Sequence, residues 1–178
     1  MLERLPLAGA SLLDVGCGLG DLLGFLREHR VNLRYCGVDL LPEMVVEARR
    51  LYPGNRFITL DLFREASPLP ERFELVYCSG LFNLALGNKD TFPQLALPRL
   101  AAHARAFLVV NALDRRRVSV PYPYQAHDPA HWRALLAPLG QSCSIVDDYL
   151  DGDFTCILKL GPKRRLRGSM PASDGACL

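Results

Sequence analysis

The stretch Leu12-Leu13-Asp14-Val15-Gly16-Cys17-Gly18-Leu19-Gly20 constrains this chain more than any other. An apolar run closes on an acid, and three glycines follow at alternate positions. The amphipathic segment Asp21-Leu22-Leu23-Gly24-Phe25-Leu26-Arg27 comes next. That order reads as strand, tight turn, helix, the opening of an α/β unit that receives a nucleotide-type ligand. Glycine is needed where the backbone turns sharply or approaches a ligand too closely for a Cβ. A dinucleotide-binding turn would carry its third glycine at position 21, which here is Asp21.

Strand and helix signals then alternate. Ser11 to Val15 is the first strand and Gly20 to about Glu28 the first helix. Arg34 to Asp39 is a second strand ending in an acid, and Pro42 opens a helix to about Arg50, closed by Pro53-Gly54. Arg56 to Leu60 is a third strand with Asp61 at its end. The connection Leu62 to Arg72 carries two prolines and is too short for a crossover helix. Phe73 to Cys78 is a fourth strand. Ala106 to Val110, with its Phe-Leu-Val-Val run, is a fifth that suits burial on both faces. Between them, Pro93 and Pro98 predict short or broken helices over Asp90 to His103. Asp128-Pro129 caps a helix running to Gly140. Ser144 to Leu150 and Phe154 to Leu160 read as strands joined by the tight hairpin dipeptide Asp151-Gly152. Residues 1–160 therefore read as one α/β domain, and 161–178 as a basic, disordered tail.

Composition matters mainly for what it excludes. A length of 178 residues suits a single core, and 49% apolar with 22% charged residues is ordinary for a globular chain. The net charge of +2 does not by itself argue for nucleic acid or a membrane surface. No apolar run reaches membrane-span length, and Met1-Leu2-Glu3-Arg4 lacks a secretory pattern, so a cytoplasmic location is expected. The six cysteines (Cys17, Cys36, Cys78, Cys143, Cys156, Cys177) are scattered, without a Cys-x-x-Cys pair. They read as small buried hydrophobes rather than disulfides or metal ligands, and no metal is expected.

The Asp-x-Gly-x-Gly-x-Gly pattern, with acids closing the next two strands and an antiparallel finish, resembles the class I S-adenosylmethionine-dependent methyltransferases over about residues 10 to 160. The resemblance implies a Rossmann-like fold, with a mostly parallel seven-stranded sheet, an antiparallel last strand and helices on both faces. It implies S-adenosylmethionine as cofactor. Asp14, Gly16, Cys17, Gly18 and Gly20 would wrap the methionine portion, since N–H groups at a helix start present donors to a carboxylate. Asp39 would accept the ribose hydroxyls, as an ionised carboxylate suits a diol. Leu40 would pack on the adenine, Asp61 would take its amino group, and Leu62 would offer a backbone N–H. Cys78 and Ser79 would floor the methionine end, with a buried structural role for the Cys78 side chain.

The acceptor side is less legible. Methyl transfer from a sulfonium is an in-line displacement that positioning can largely accelerate, although a hydroxyl acceptor needs a base. Phe82 and Asn83 are candidate pocket walls. Asp114, Tyr122, Tyr124, His127 and His131 lie in the stretch after strand five where a base could sit. The Asp/Asn-Pro-Pro-aromatic run of amino-methylating nucleic-acid enzymes does not follow strand four, which favours a small-molecule acceptor methylated at O or N. A cofactor-binding regulatory or partner-activated protein without activity of its own is the rival reading. An RNA methyltransferase is a third, resting on Arg115-Arg116-Arg117 and on Lys163 to Arg167. Family members commonly carry helices before strand one. Here the site would be open, or covered by the loop Arg115 to Asp128 or by a second copy of the chain.

Overall fold

In the computed structural model, residues 5, 8–64, 69–85 and 91–161 are described. The expected tail cations Lys163, Arg164, Arg165 and Arg167, together with Cys177, lie outside them. Seven strands form one sheet in the order β3-β2-β1-β4-β5-β7-β6. They are β1 (Ser11–Val15), β2 (Arg34–Asp39), β3 (Arg56–Thr59), β4 (Phe73–Cys78), β5 (Ala104–Leu113), β6 (Ser142–Val146) and β7 (Asp153–Lys159). Strands β1 to β5 pair in parallel, while β7 runs antiparallel between β5 and β6.

Helices cover both faces. The helices α1 (Asp21–Glu28) and α2 (Pro42–Leu51) pack Leu23, Leu26, Val45 and Ala48 on one face, against Leu12, Leu75 and Val109. On the other face, α3 (Phe92–His103) and α4 (Pro129–Leu136) pack Leu97, Leu100, Trp132 and Leu136 against Leu13, Val76, Leu108 and Val110. Burial on both faces explains why the central strands are continuously apolar rather than alternating. The order and the reversed β7 are those of the Rossmann-like methyltransferase fold, as expected.

Three local expectations are corrected. Phe92–His103 is one continuous helix, not broken pieces, although Pro98 lies inside it. Pro98 and Gln94 are both exposed, so the Gln94 carbonyl that Pro98 cannot serve faces water. Ala96, Leu97 and Leu100 meanwhile bury the opposite side completely. Strand β6 ends at Val146, and residues 147–152 form a six-residue connection in place of a two-residue turn. Here Tyr149 leaves the ladder to bond Asn111 and Thr155, and Arg117 reaches back to the Asp147 carbonyl. Strand β5 is also longer than expected, beginning at Ala104 and running to Leu113.

Candidate active site

The carboxyl ends of β1, β2 and β4 bring the glycine turn, Asp39 and Ser79 to one edge of the sheet. Gly18 and Gly20 both have left-handed backbones, at φ +53 and +87. Their surroundings differ. A Cβ on Gly20 would meet the Tyr52 and Phe57 rings at 3.1 and 3.2 Å, so this glycine serves packing. A Cβ on Gly18 would meet no atom within 4 Å, so this glycine borders open space. Gly20 is also the residue before α1, which has no side-chain cap, and Asp21 puts an acid in its first turn.

Asp39 organises the turn. Its Oδ2 accepts the Gly18 N–H at 2.9 Å and its Oδ1 accepts the Leu41 N–H at 3.0 Å. Each carboxylate oxygen keeps a second lone pair for a ligand hydroxyl. Beneath the turn, buried Asp14 accepts a 2.6 Å bond from the Tyr35 hydroxyl. Burial pushes its carboxyl from 3.8 up to about 7, the Tyr35 bond opposes this, and Asp39 and Asp21 add to it. The Cys17 thiol is likewise pushed up to about 12, chiefly by burial.

A cavity of about 800 Å³ opens beside the turn, lined by Asp14, Gly16, Cys17, Gly18, Tyr77 and Ser79 and continuing along α1 past Phe25. Asp39, Leu40, Asp61, Leu62 and Cys78 do not line it. Leu40 is well exposed on the same edge, while Asp61 folds back to accept the Phe63 N–H at 2.9 Å. Leu62 and Cys78 have core side chains, and Cys78 sits in the ladder between Val15 and Val110. Burial pushes the Cys78 thiol up, in keeping with a structural side chain.

Beyond the turn, a polar band crosses the sheet on the α1 side. The Ser79 hydroxyl donates to Asn111 Oδ1 at 3.2 Å. The Asn111 amide donates to the Tyr149 hydroxyl at 2.6 Å and to Asp153 Oδ2 at 3.0 Å. Tyr149 in turn bonds the Thr155 hydroxyl at 2.7 Å. Neither Asn111 nor Tyr149 was singled out from sequence. The available signal for Asn111 was an amide directly after the apolar run Phe107-Leu108-Val109-Val110.

Several acceptor-side candidates have structural roles. Phe82 is fully buried against Trp132 and Phe92, so its ring is core rather than pocket wall. Asn83 Oδ1 accepts the Leu113 N–H at 2.9 Å. His127 is buried with Nε2 2.7 Å from the Phe82 carbonyl. Asp114 is fully buried and clasped by Arg116, whose guanidinium lowers its carboxyl, so it is an ion-pair partner rather than a base. Arg115 pairs with Asp128 and Arg117 with Asp147, so the arginine run is spent largely within the fold. Tyr122 and Tyr124 are exposed, and with His127 and His131 they line a second cavity against α3 and α4. The 114–128 segment thus does not line the cavity at the glycine turn; it encloses space beside the helices of the other face.

A family profile described as a methyltransferase domain matches residues 13–106, more than half of the chain. The chain belongs to that methyltransferase family. A Mycobacterium tuberculosis protein described as a methyltransferase is 33% identical over 110 residues, covering 61% of this chain and 60% of that one. The Escherichia coli trans-aconitate 2-methyltransferase is 28% identical over 96 residues, 53% of this chain and 37% of its own length. This methyltransferase-family chain therefore spans less than two thirds of either relative. Among solved structures, a TehB-like S-adenosylmethionine-dependent methyltransferase from Corynebacterium glutamicum aligns with TM-score 0.68 at 17% identity, covering 90% of this chain and 85% of that one. The Synechocystis magnesium protoporphyrin IX methyltransferase, solved with bound S-adenosylmethionine, aligns with TM-score 0.65 at 20% identity, over 88% and 72%. At such identities the likeness carries the fold.

Proposed function

We propose that this chain binds S-adenosylmethionine at the carboxyl edge of β1, β2 and β4 and methylates a small acceptor at oxygen or nitrogen. The observation that carries the reading is the open space over Gly18, bordered by an Asp39 carboxylate already fixed by two backbone N–H groups. A cofactor diol would bond the remaining lone pairs of Asp39, Leu40 would cover a ring, and Asp61 and Leu62 would meet its edge. Asp14 would face the methionine ammonium. When bound, S-adenosylmethionine would supply an electrophilic methyl on sulfur; the acceptor lone pair would form the new bond as the carbon–sulfur bond breaks, leaving S-adenosylhomocysteine, and the acceptor's proton would pass to solvent. This chain's residues bind, orient and exclude water. Ser79, which lines the cavity, is the group we assign to the acceptor, and Asn111 and Tyr149 hold it in place.

The relative named for trans-aconitate supports a small-molecule acceptor. The internal pairing of Arg115 to Arg117 removes much of the argument for RNA. No helix among the described residues is long and apolar enough to cross a membrane, and the five described cysteines are free, which supports action in a reducing cytoplasm. The experiment measures S-adenosylhomocysteine release with cell metabolite extract and, separately, with bulk RNA, beside calorimetry of cofactor binding. Turnover with metabolites is expected. Binding without turnover would favour a regulatory or partner-activated protein, and RNA-dependent turnover would displace the small acceptor. Asp39→Ala is expected to weaken cofactor binding by about 1.5–3 kcal/mol, the range for hydrogen bonds to a charged group. Unchanged affinity would remove Asp39 from the site.

A further inference from the structure

The loop between β5 and α4 is stitched to the segment that follows β4. Gln125 N–H donates to the Asn83 carbonyl at 2.9 Å and Ala85 N–H to the Pro123 carbonyl at 2.8 Å, while the bond from Arg115 N–H to the His127 carbonyl at 2.9 Å closes the loop on itself. Together with α3 and α4 it encloses a cavity of about 970 Å³ whose wall includes Gln125, His131, Trp132 and the two tyrosines Tyr122 and Tyr124.

Two of these wall residues each keep a fully buried polar atom with no hydrogen-bond partner among the described residues, Trp132 Nε1 and Gln125 Oε1. The orientation of the Gln125 amide is fixed by its neighbours. Its nitrogen donates to the Phe82 carbonyl at 3.1 Å and to the Leu84 carbonyl at 2.9 Å, which uses both hydrogens. The carbonyl oxygen is therefore the end left over. Buried polar groups are nearly always paired.

We propose that this cavity is a binding site for a small uncharged molecule carrying hydroxyl or amide groups, separate from the cofactor cleft. Such groups donate and accept together, so one molecule can meet an indole N–H and an amide C=O. A carboxylate or phosphate only accepts and would leave Gln125 unpaired. An ammonium only donates and would leave Trp132 unpaired. Tyr122 and Tyr124 supply flat, amphipathic faces at the rim. Both orphaned atoms are shielded from solvent, so the occupant reaches them through a local opening of the loop, whose residues 121–124 are exposed. Gln125 and His127 both hold the Phe82 carbonyl, so the occupant would also touch the segment leading back to Ser79.

Trp132 is the sole tryptophan, so nitrogen-15 correlation spectra contain one indole N–H signal to follow. The full chain, without cofactor, is titrated in separate experiments with ribose, N-acetylglucosamine and acetamide, and in parallel with sodium acetate and ammonium chloride. A saturable shift of the indole signal by a neutral probe, with Kd of about 1 mM or tighter, is expected, with little response to either salt. An indole signal that contacts water only and ignores all three neutral probes overturns the proposal. So does a response to acetate or ammonium equal to that of the neutral probes. The readout needs neither turnover nor cofactor, so it stands or falls apart from the methyltransferase reading, which calorimetry with S-adenosylhomocysteine tests.

Discussion

Replacing Asp14 by asparagine separates what this carboxyl costs the fold from what it gives the site. Its pKa rises from 3.8 to about 7 in the folded chain, chiefly because burial disfavours the charged form. A folded acid with a raised pKa holds its proton more tightly than the unfolded chain does. Stability associated with Asp14 is thus highest at or below about pH 4 and falls as pH rises to about 7, where the loss is complete. About three units at about 1.36 kcal/mol each give a penalty of about 4 kcal/mol, an upper figure because relaxation around the carboxylate reduces it. Asparagine keeps an oxygen for the Tyr35 hydroxyl and removes the ionisation. Urea unfolding followed by Trp132 fluorescence should therefore find Asp14→Asn more stable than the parent at pH 8, with the gap closing towards pH 4. Cofactor binding should move the other way. A methionine ammonium beside Asp14 would expel its proton, so calorimetry in buffers of different ionisation enthalpy should record release of about one proton at pH 6. The asparagine variant should bind more weakly and release none. A stability gap that does not vary with pH, or equal proton release by both proteins, would refute the reasoning.

Gly18→Ala and Gly20→Ala should divide along the line drawn by their surroundings. The first costs about 1–2 kcal/mol of backbone strain yet abolishes cofactor binding in calorimetry; the second loses more stability because Tyr52 and Phe57 must move. Asn111→Ala should leave the S-adenosylhomocysteine Kd unchanged while raising the acceptor KM about tenfold, roughly 1.4 kcal/mol; a weakened Kd with unchanged KM would move Asn111 off the acceptor side. Asp128→Ala should destabilise the chain by about 1 kcal/mol in urea unfolding, because its carboxylate caps α4 through the Ala130 N–H.

The order of elements, the parallel centre and the reversed final strand were all legible in the sequence. Each rests on short-range information: apolar runs long enough for one strand, glycine where the backbone must turn, acids at strand ends. The gathering of the glycine turn, Asp14 and Asp39 at one edge was legible for the same reason, since they sit at or just beyond the carboxyl ends of β1 and β2. Proline content misled at α3, because the exposed side of that helix tolerates Pro98 while its buried side holds the segment together. The hairpin after Val146 was misread because Tyr149 finds partners on β5 and β7 that no local pattern announces. Tertiary structure alone decided the polar band beside that edge. It paired Ser79 with Asn111 across 32 residues and Asn111 with Tyr149 across 38, and turned Phe82 into the core. It also neutralised the arginine run against Asp114, Asp128 and Asp147. Bonds between residues so far apart depend on which strands become neighbours, and that is settled only when the whole sheet closes on its core.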